Sequence, residues 1–131
     1  VRILLDTSYL YNLTAGSGHF SDTERLILSN PDVTIFVSAA SIWEMRLKFA
    51  ARHPSGARKS AFDPSAVVTL LEEQDVIFLP ITVAHAAAKL VDPIAHKDPF
   101  DELLLAQAQS EGLRLLTVDR NLTGHPLAIA P

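Results

Sequence analysis

The sequence predicts an α/β fold: a three-layer α/β/α sandwich around a mostly parallel central sheet of four to five strands. Three observations predict it. Four short runs rich in Val, Ile, Leu and Phe show little alternation, the mark of strands covered on both faces. Helical signals fill the gaps between these runs. The chain has 131 residues and is 48% hydrophobic, which suits one domain, residues 1–131, with a sizeable core.

The first run, RILL at 2–5, ends beside Leu5-Asp6, and TSYLYNL follows as a helix that Asp6 can cap. Ser21 precedes DTERLILSN with Glu24 three residues on, a capping-box pattern. The second run, TIFVS at 34–38, leads into SAASIWEMRLKFAARH at 38–53. That segment sets Ile42, Met45, Leu47 and Phe49 at near-helical spacing and stops before Pro54. RHPSGARKSAFDP at 52–64 reads as a flexible loop. Asp63 and Pro64 open SAVVTLLEEQ, a cap followed by proline at the first helical position. VIFLP at 76–80 is the third strand, after which Thr82 caps VAHAAAKLV and Pro93 ends it.

HKDPFDELLLAQAQ, beginning at His96, carries the last helix. Asp98 is its cap, Pro99 its first residue, and Gly112 its stop after Glu111. Asp101 stands three residues after the cap, close to a capping-box arrangement, and with Glu102 favours the positive end of the helix dipole. LRLLTV at 113–118 is the fourth strand, and LAIA at 127–130 a weaker fifth.

Composition narrows the chemistry. The chain has no cysteine, so disulfides, thiolate metal sites and cysteine nucleophiles are excluded. No apolar run reaches a membrane-spanning length, and the first residues read as a strand rather than a signal segment. A soluble cytoplasmic domain is the expectation. The formal net charge of -4 argues against nucleic-acid binding through bulk charge. Five of the 11 Lys and Arg residues nonetheless fall between Met45 and Phe62, where no acid occurs: Arg46, Lys48, Arg52, Arg58 and Lys59. This segment is either a solvated helix face running into a loop or a track for a nucleic-acid backbone.

In a parallel α/β sheet, sites form beyond the carboxyl ends of the strands, where strand order reverses. Asp6 follows the first strand and Asp119 the fourth, while Glu44 lies about two turns into the helix after the second. Asp98 and Asp101 open the helix that precedes the fourth strand. If the strands run the same way, Asp6, Glu44, Asp101 and Asp119 converge on one rim, with Asp98 nearby. Each acid also has a local explanation as a cap, a turn residue or a solvent-facing group. Those explanations do not require a shared rim. Two carboxylates about 4 Å apart repel by roughly 4 kcal/mol at an effective dielectric of 20, so a cluster takes up protons or binds a cation. Mg²⁺ or Mn²⁺ suits such oxygen ligands. An ion of this kind polarises a phosphoryl oxygen, activates water and stabilises the leaving oxygen. Thr7, Ser8, Thr117 and His96 are candidates for the surrounding shell.

ILLDTSYL, VSAASIWE, HKDPFDELLLAQA and LLTVDRNL, in this order and spacing, resemble the PIN-domain ribonucleases, most closely the VapC-type toxins of bacterial toxin–antitoxin pairs. The resemblance spans Arg2 to about Leu127. It implies a PIN-like sandwich and a Mg²⁺- or Mn²⁺-dependent endoribonuclease of the bacterial cytoplasm. Asp6, Glu44, Asp101 and Asp119 match the four acidic stations, and Asp98 matches an extra acid in the subgroup with the DPFD signature. Thr117 matches a hydroxyl position near the site. The implied partners are an RNA substrate, a second copy in a homodimer, and a cognate antitoxin that inserts a helix into an apolar groove. Leu10, Tyr11, Leu13, Ile42, Trp43 and Leu47 are either that groove or ordinary core. Two features depart from the family pattern: Val118 stands where a basic residue is often found, and the basic loop at 52–63 is long.

Two other readings fit part of the sequence. Asp6 after a strand also suits an aspartyl-phosphate phosphatase, although that chemistry usually has a second acid where Ser8 stands. A domain of this fold that only binds RNA or a protein is the other.

Overall fold

The computed structural model describes residues 1–14, 20–51 and 63–131. The predicted RNA contacts Arg52, Arg58 and Lys59 and most of the predicted loop lie outside them. In chain order the elements are β1 (Arg2–Leu5), α1 (Thr7–Thr14), α2 (Asp22–Ser29), β2 (Thr34–Ser38), α3 (Ala39–Ala50) and α4 (Pro64–Glu72). Then come β3 (Val76–Leu79), α5 (Val83–Ala87), α6 (Pro99–Glu111), β4 (Arg114–Leu116) and β5 (Ala128–Ile129).

The five strands form one sheet in the order β3-β2-β1-β4-β5, and every pairing is parallel. From the central β1 the chain steps outward through β2 to β3, then crosses back to β4 on the other side. The reversal therefore lies between β1 and β4, which places a crevice beyond their carboxyl ends.

Two apolar layers flank the sheet. Ile3, Leu5, Ile35, Val37 and Leu116 pack on one side with Tyr9 and Leu10 of α1, Met45 of α3, and Val67 and Leu71 of α4. Leu4, Phe36 and Leu115 point the other way and pack on Leu104, Leu105 and Ala108 of α6. Adjacent residues of one strand serve opposite layers, which is why the central strands read as unbroken apolar runs.

Local chemistry sets the element ends. Ser21 and Glu24 form the expected capping box at α2. Asp63 caps α4 through the Ser65 N–H, with Pro64 at its start. Gly112 closes α6 in the left-handed conformation at φ 68°, where an L side chain would be strained.

Three expectations are corrected. The helix after Thr82 stops at Ala87 rather than continuing to Val91, because Ala88 turns extended and its N–H bonds the His85 carbonyl. β3 is an edge strand, so Ile77 and Phe78 are 50% and 37% exposed instead of covered on both faces. The strand predicted over 113–118 narrows to Arg114–Leu116, since Thr117 onward serves the crevice. Among the described residues, no helix is long and apolar enough to cross a membrane.

Candidate active site

Asp6 leaves the end of β1 inside the crevice, only 7% exposed. Its backbone N–H still bonds Leu116 of β4, so the side chain is aimed from a fixed sheet edge. Its Oδ1 accepts the Thr7 N–H at 2.8 Å, and its Oδ2 accepts the Thr117 hydroxyl at 2.7 Å. The side chain thus bonds only the first residue of α1 and not the N–H groups a helix cap serves, so the capping expectation gives way to the rim position. Thr117 also accepts the Asp119 N–H at 3.0 Å, so one buried hydroxyl fixes two acids from neighbouring strands. Asp119 forms a turn with Asn121, whose N–H its Oδ1 accepts at 2.9 Å.

Glu44 reaches the same hollow from α3. The Thr7 hydroxyl lies 2.9 Å from Glu44 Oε1 and 2.9 Å from the Ser41 hydroxyl. A hydroxyl has one proton, so Thr7 donates to Glu44 and accepts from Ser41. The other carboxylate oxygen pairs with Lys48 Nζ at 3.0 Å, one helical turn on. Burial works against the Lys48 charge, but the bond and charge of Glu44, with Tyr11 and Asp98 adding, hold the ammonium above its ordinary range.

Asp98 and Asp101 enter at the start of α6. Asp98 Oδ1 accepts the Phe100 N–H at 2.9 Å and the Asp101 N–H at 3.3 Å, as a cap should. Asp101 departs from the capping-box expectation by turning its Oδ2 to His96 Nε2 at 2.8 Å.

Asp6, Glu44, Asp98, Asp101 and Asp119 line one hollow of about 380 Å³, together with Thr7, Ser8, Tyr11, Lys48 and Val118. Thr117 and His96 stand behind the acids they bond. Arg46, predicted to share an RNA track with Lys48, lies instead over the Trp43 ring and lines a separate apolar cavity. Of the suggested groove residues, Leu10 is fully buried core, whereas Trp43 and Leu47 are 49% and 41% exposed.

The hollow is electrostatically strained. Burial pushes the Asp6 carboxyl up, Asp119 and Glu44 add to the rise, and the bonds from Thr117 and Thr7 oppose it. Burial likewise pushes Asp101 up to about 6, with the charges of Asp98, Asp6 and Asp119 adding and the His96 bond opposing. Carboxylates that sense one another at this cost favour a cation. Carboxylate oxygens backed by hydroxyls are the donor chemistry that a hard divalent ion takes. Among the described residues, no three His, Cys, Asp or Glu side chains close on one point as a ready-made metal cage. Each acid is turned to its own local donor, so binding an ion calls for side-chain rotations.

Sequence reasoning missed Ser41, Gln107 and His85. Ser41 lies three residues before Glu44, and that spacing was the available signal. Gln107 accepts the Ser38 hydroxyl and donates to the Pro80 carbonyl, which ties the start of α3 to α6. His85 is buried against Glu111, 2.7 Å away.

The sequence profile of the PIN domain matches residues 3–125. No curated protein matches the chain in sequence. Among solved structures, VapBC2 from Rickettsia felis, bound to a DNA fragment from its promoter, superposes with a TM-score of 0.60 at 14% identity, over 98% of this chain and 96% of that one. A toxin–antitoxin complex from Klebsiella pneumoniae gives 0.60 at 18% identity, over 98% and 97%. VapC20 of Mycobacterium tuberculosis, a sarcin-ricin loop cleaving toxin, gives 0.53 at 21% identity, over 86% and 85%.

Proposed function

Because the chain belongs to the PIN domain family, we propose that it is a VapC-type endoribonuclease that hydrolyses RNA phosphodiester bonds with Mg²⁺ or Mn²⁺. The observation that carries this reading is the meeting of Asp6, Glu44, Asp98, Asp101 and Asp119 in one hollow, at the point where strand order reverses. The fold is shared with a toxin described as cleaving the sarcin-ricin loop, which supports RNA as the substrate class.

A bound divalent ion would supply charge neutralisation at the phosphate and a lowered pKa for water. The chain's own residues set the stage for that chemistry. Thr117 and the Thr7 N–H each bond one oxygen of Asp6. Thr7 and Lys48 do the same for Glu44. His96 orients Asp101, whose raised pKa favours proton uptake whenever no cation is present. Ser8 stands where phosphoaspartate chemistry usually has a second acid, which weighs against that reading.

Toxin–antitoxin complexes of the same fold support an antitoxin partner, and the proposed setting is the bacterial cytoplasm. Trp43 and Leu47 are one turn apart on α3 and exposed, and Leu13 is exposed on α1. These side chains supply the face on which an antitoxin helix would lie. A homodimer completes the proposed assembly.

The test is RNA cleavage with Mg²⁺ by the wild type and by Asp6→Asn and Asp119→Asn. Loss of a group that only hydrogen-bonds a metal ligand typically lowers activity or metal affinity about 10–100-fold, so each ligand change should cost at least that much. Cleavage unchanged in both variants would remove the proposal.

A further inference from the structure

A second hollow, of about 600 Å³, opens beside the acid site and shares Glu44, Lys48 and Asp98 with it. Leu47, Pro99 and Phe100 give it an apolar lining, and Lys97 adds a second ammonium to that of Lys48. Lys97 is exposed and makes no ion pair among the described residues. Lys48 stands at the junction, lining both hollows. Two facts make this groove unlike the acid site. Its cations lie one on α3 and one just before α6, so they flank it from both sides. Its aromatic ring, Phe100, is half-buried and lies one residue before Asp101.

An anionic polymer meets repulsion at the acid site unless something draws it in. Glu44 pairs with Lys48 at 3.0 Å and Asp98 also lines the groove, so the cation left for a phosphate is Lys97, and the Phe100 ring beside it offers an apolar face for a base. A chain with a net charge of -4 requires such local placement. We propose that this groove holds the nucleotide adjoining the scissile phosphate of single-stranded RNA, its base against Phe100 and Leu47 and its phosphate on Lys97. The inference rests on the endoribonuclease reading and adds to it the path of the strand, which runs between α3 and the start of α6 rather than along the Arg46 side of α3. Stacking and backbone charge do not read base edges, so selection within this groove is by single-strandedness.

The experiment measures binding of a short fluorescein-labelled single-stranded RNA of mixed sequence by anisotropy, across a range of salt. The parent is Asp6→Asn, which should bind without cutting. Lys97→Ala is the cleanest variant, because no ion pair is broken. It should lower the slope of log affinity against log salt by roughly 0.7, and adding Lys48→Ala should lower it further by less than that, because Glu44 already pairs the Lys48 ammonium. Phe100→Leu should weaken binding roughly five-fold or more with the slope retained, since it removes stacking and not charge. Circular dichroism confirms that each variant is folded. Parent-like affinity and slope in all three variants, alongside RNA cleavage by the wild type, would overturn the groove and leave the nuclease reading intact. The expected slopes without cleavage by the wild type would support the groove and remove the nuclease reading.

Discussion

Thr117 and Asp6 are 111 positions apart in the chain and joined by a 2.7 Å hydrogen bond that is wholly buried. The bond spans the strand-order reversal between β1 and β4, and the same hydroxyl receives the Asp119 N–H. Thr117→Val keeps the shape and removes the hydroxyl. It leaves an acceptor and a donor unpaired, at a cost of about 1–3 kcal/mol each where water cannot replace them. We expect metal affinity or RNA cleavage to fall about 10–100-fold, and Thr117→Ser to restore most of it. Calorimetric Mg²⁺ titration of the two variants checks this. Equal affinities for Thr117→Val and the wild type would show that the bond does not orient the site.

Asp101 should make the metal-free protein less stable at neutral pH. Its carboxyl is pushed up to about 6 from an ordinary 3.8, by burial first and neighbouring acids second. The folded state therefore holds its proton more tightly than the unfolded state. Stability falls as pH rises through the interval between these values, and the penalty is fully present above it. Asp101→Asn should raise the Tm above about pH 7 by about 3 °C, the equivalent of about 1 kcal/mol after allowing for solvent screening. The gain should vanish below about pH 4. Thermal melts in EDTA across this range decide it, and a gain of equal size at both extremes would contradict the electrostatic explanation.

Mg²⁺ should reverse that penalty. An ion that binds only the folded state stabilises it by about 2.7 kcal/mol at a hundred times its Kd. The wild-type Tm should therefore climb with Mg²⁺, while that of Asp6→Asn and Asp119→Asn should climb far less. Parallel climbs in all three proteins would place the ion elsewhere.

Ser38 links the fold to the site. Its hydroxyl caps α3 through the Ala40 N–H and also donates to the buried Gln107 on α6. Ser38→Ala removes the cap, worth about 0.5–2 kcal/mol, and strands the Gln107 carbonyl oxygen, at about 1–3 kcal/mol. Urea unfolding should show a loss of about 2 kcal/mol or more. A loss below about 0.5 kcal/mol would mean that water replaces the bond.

Particular residues show how much was legible from the sequence. The central strands could be read because Ile3, Leu4 and Leu5 are covered on both faces, leaving no alternation to mislead. The α6 helix could be read to the residue because Asp98, Pro99 and Gly112 punctuate it by local chemistry alone. Ile77 and Phe78 resemble buried strand residues, but exposure at a sheet edge depends on strand order, which no local pattern encodes. The early end of α5 is equally hidden, since Ala87 and Ala88 are both good helix formers. In the candidate site Asp6, Asp98, Asp101 and Asp119 stood out because each lies at or near an element end, whereas Glu44 sits in mid-helix. Their supporting partners did not. Ser41 and Gln107 are ordinary polar residues within helices until tertiary packing buries them. Lys97 drew no notice in the sequence, because only the fold sets it beside Lys48 in one groove.

The central claim is that Asp6 and Asp119, brought together at the ends of β1 and β4, share a divalent cation. The most direct measurement is an anomalous difference map from crystals of the protein soaked in Mn²⁺. The account predicts a peak in the acid-lined hollow, about 2.0–2.4 Å from carboxylate oxygens of both residues. A hollow that stays empty at saturating Mn²⁺, or an ion touching neither aspartate, would contradict it.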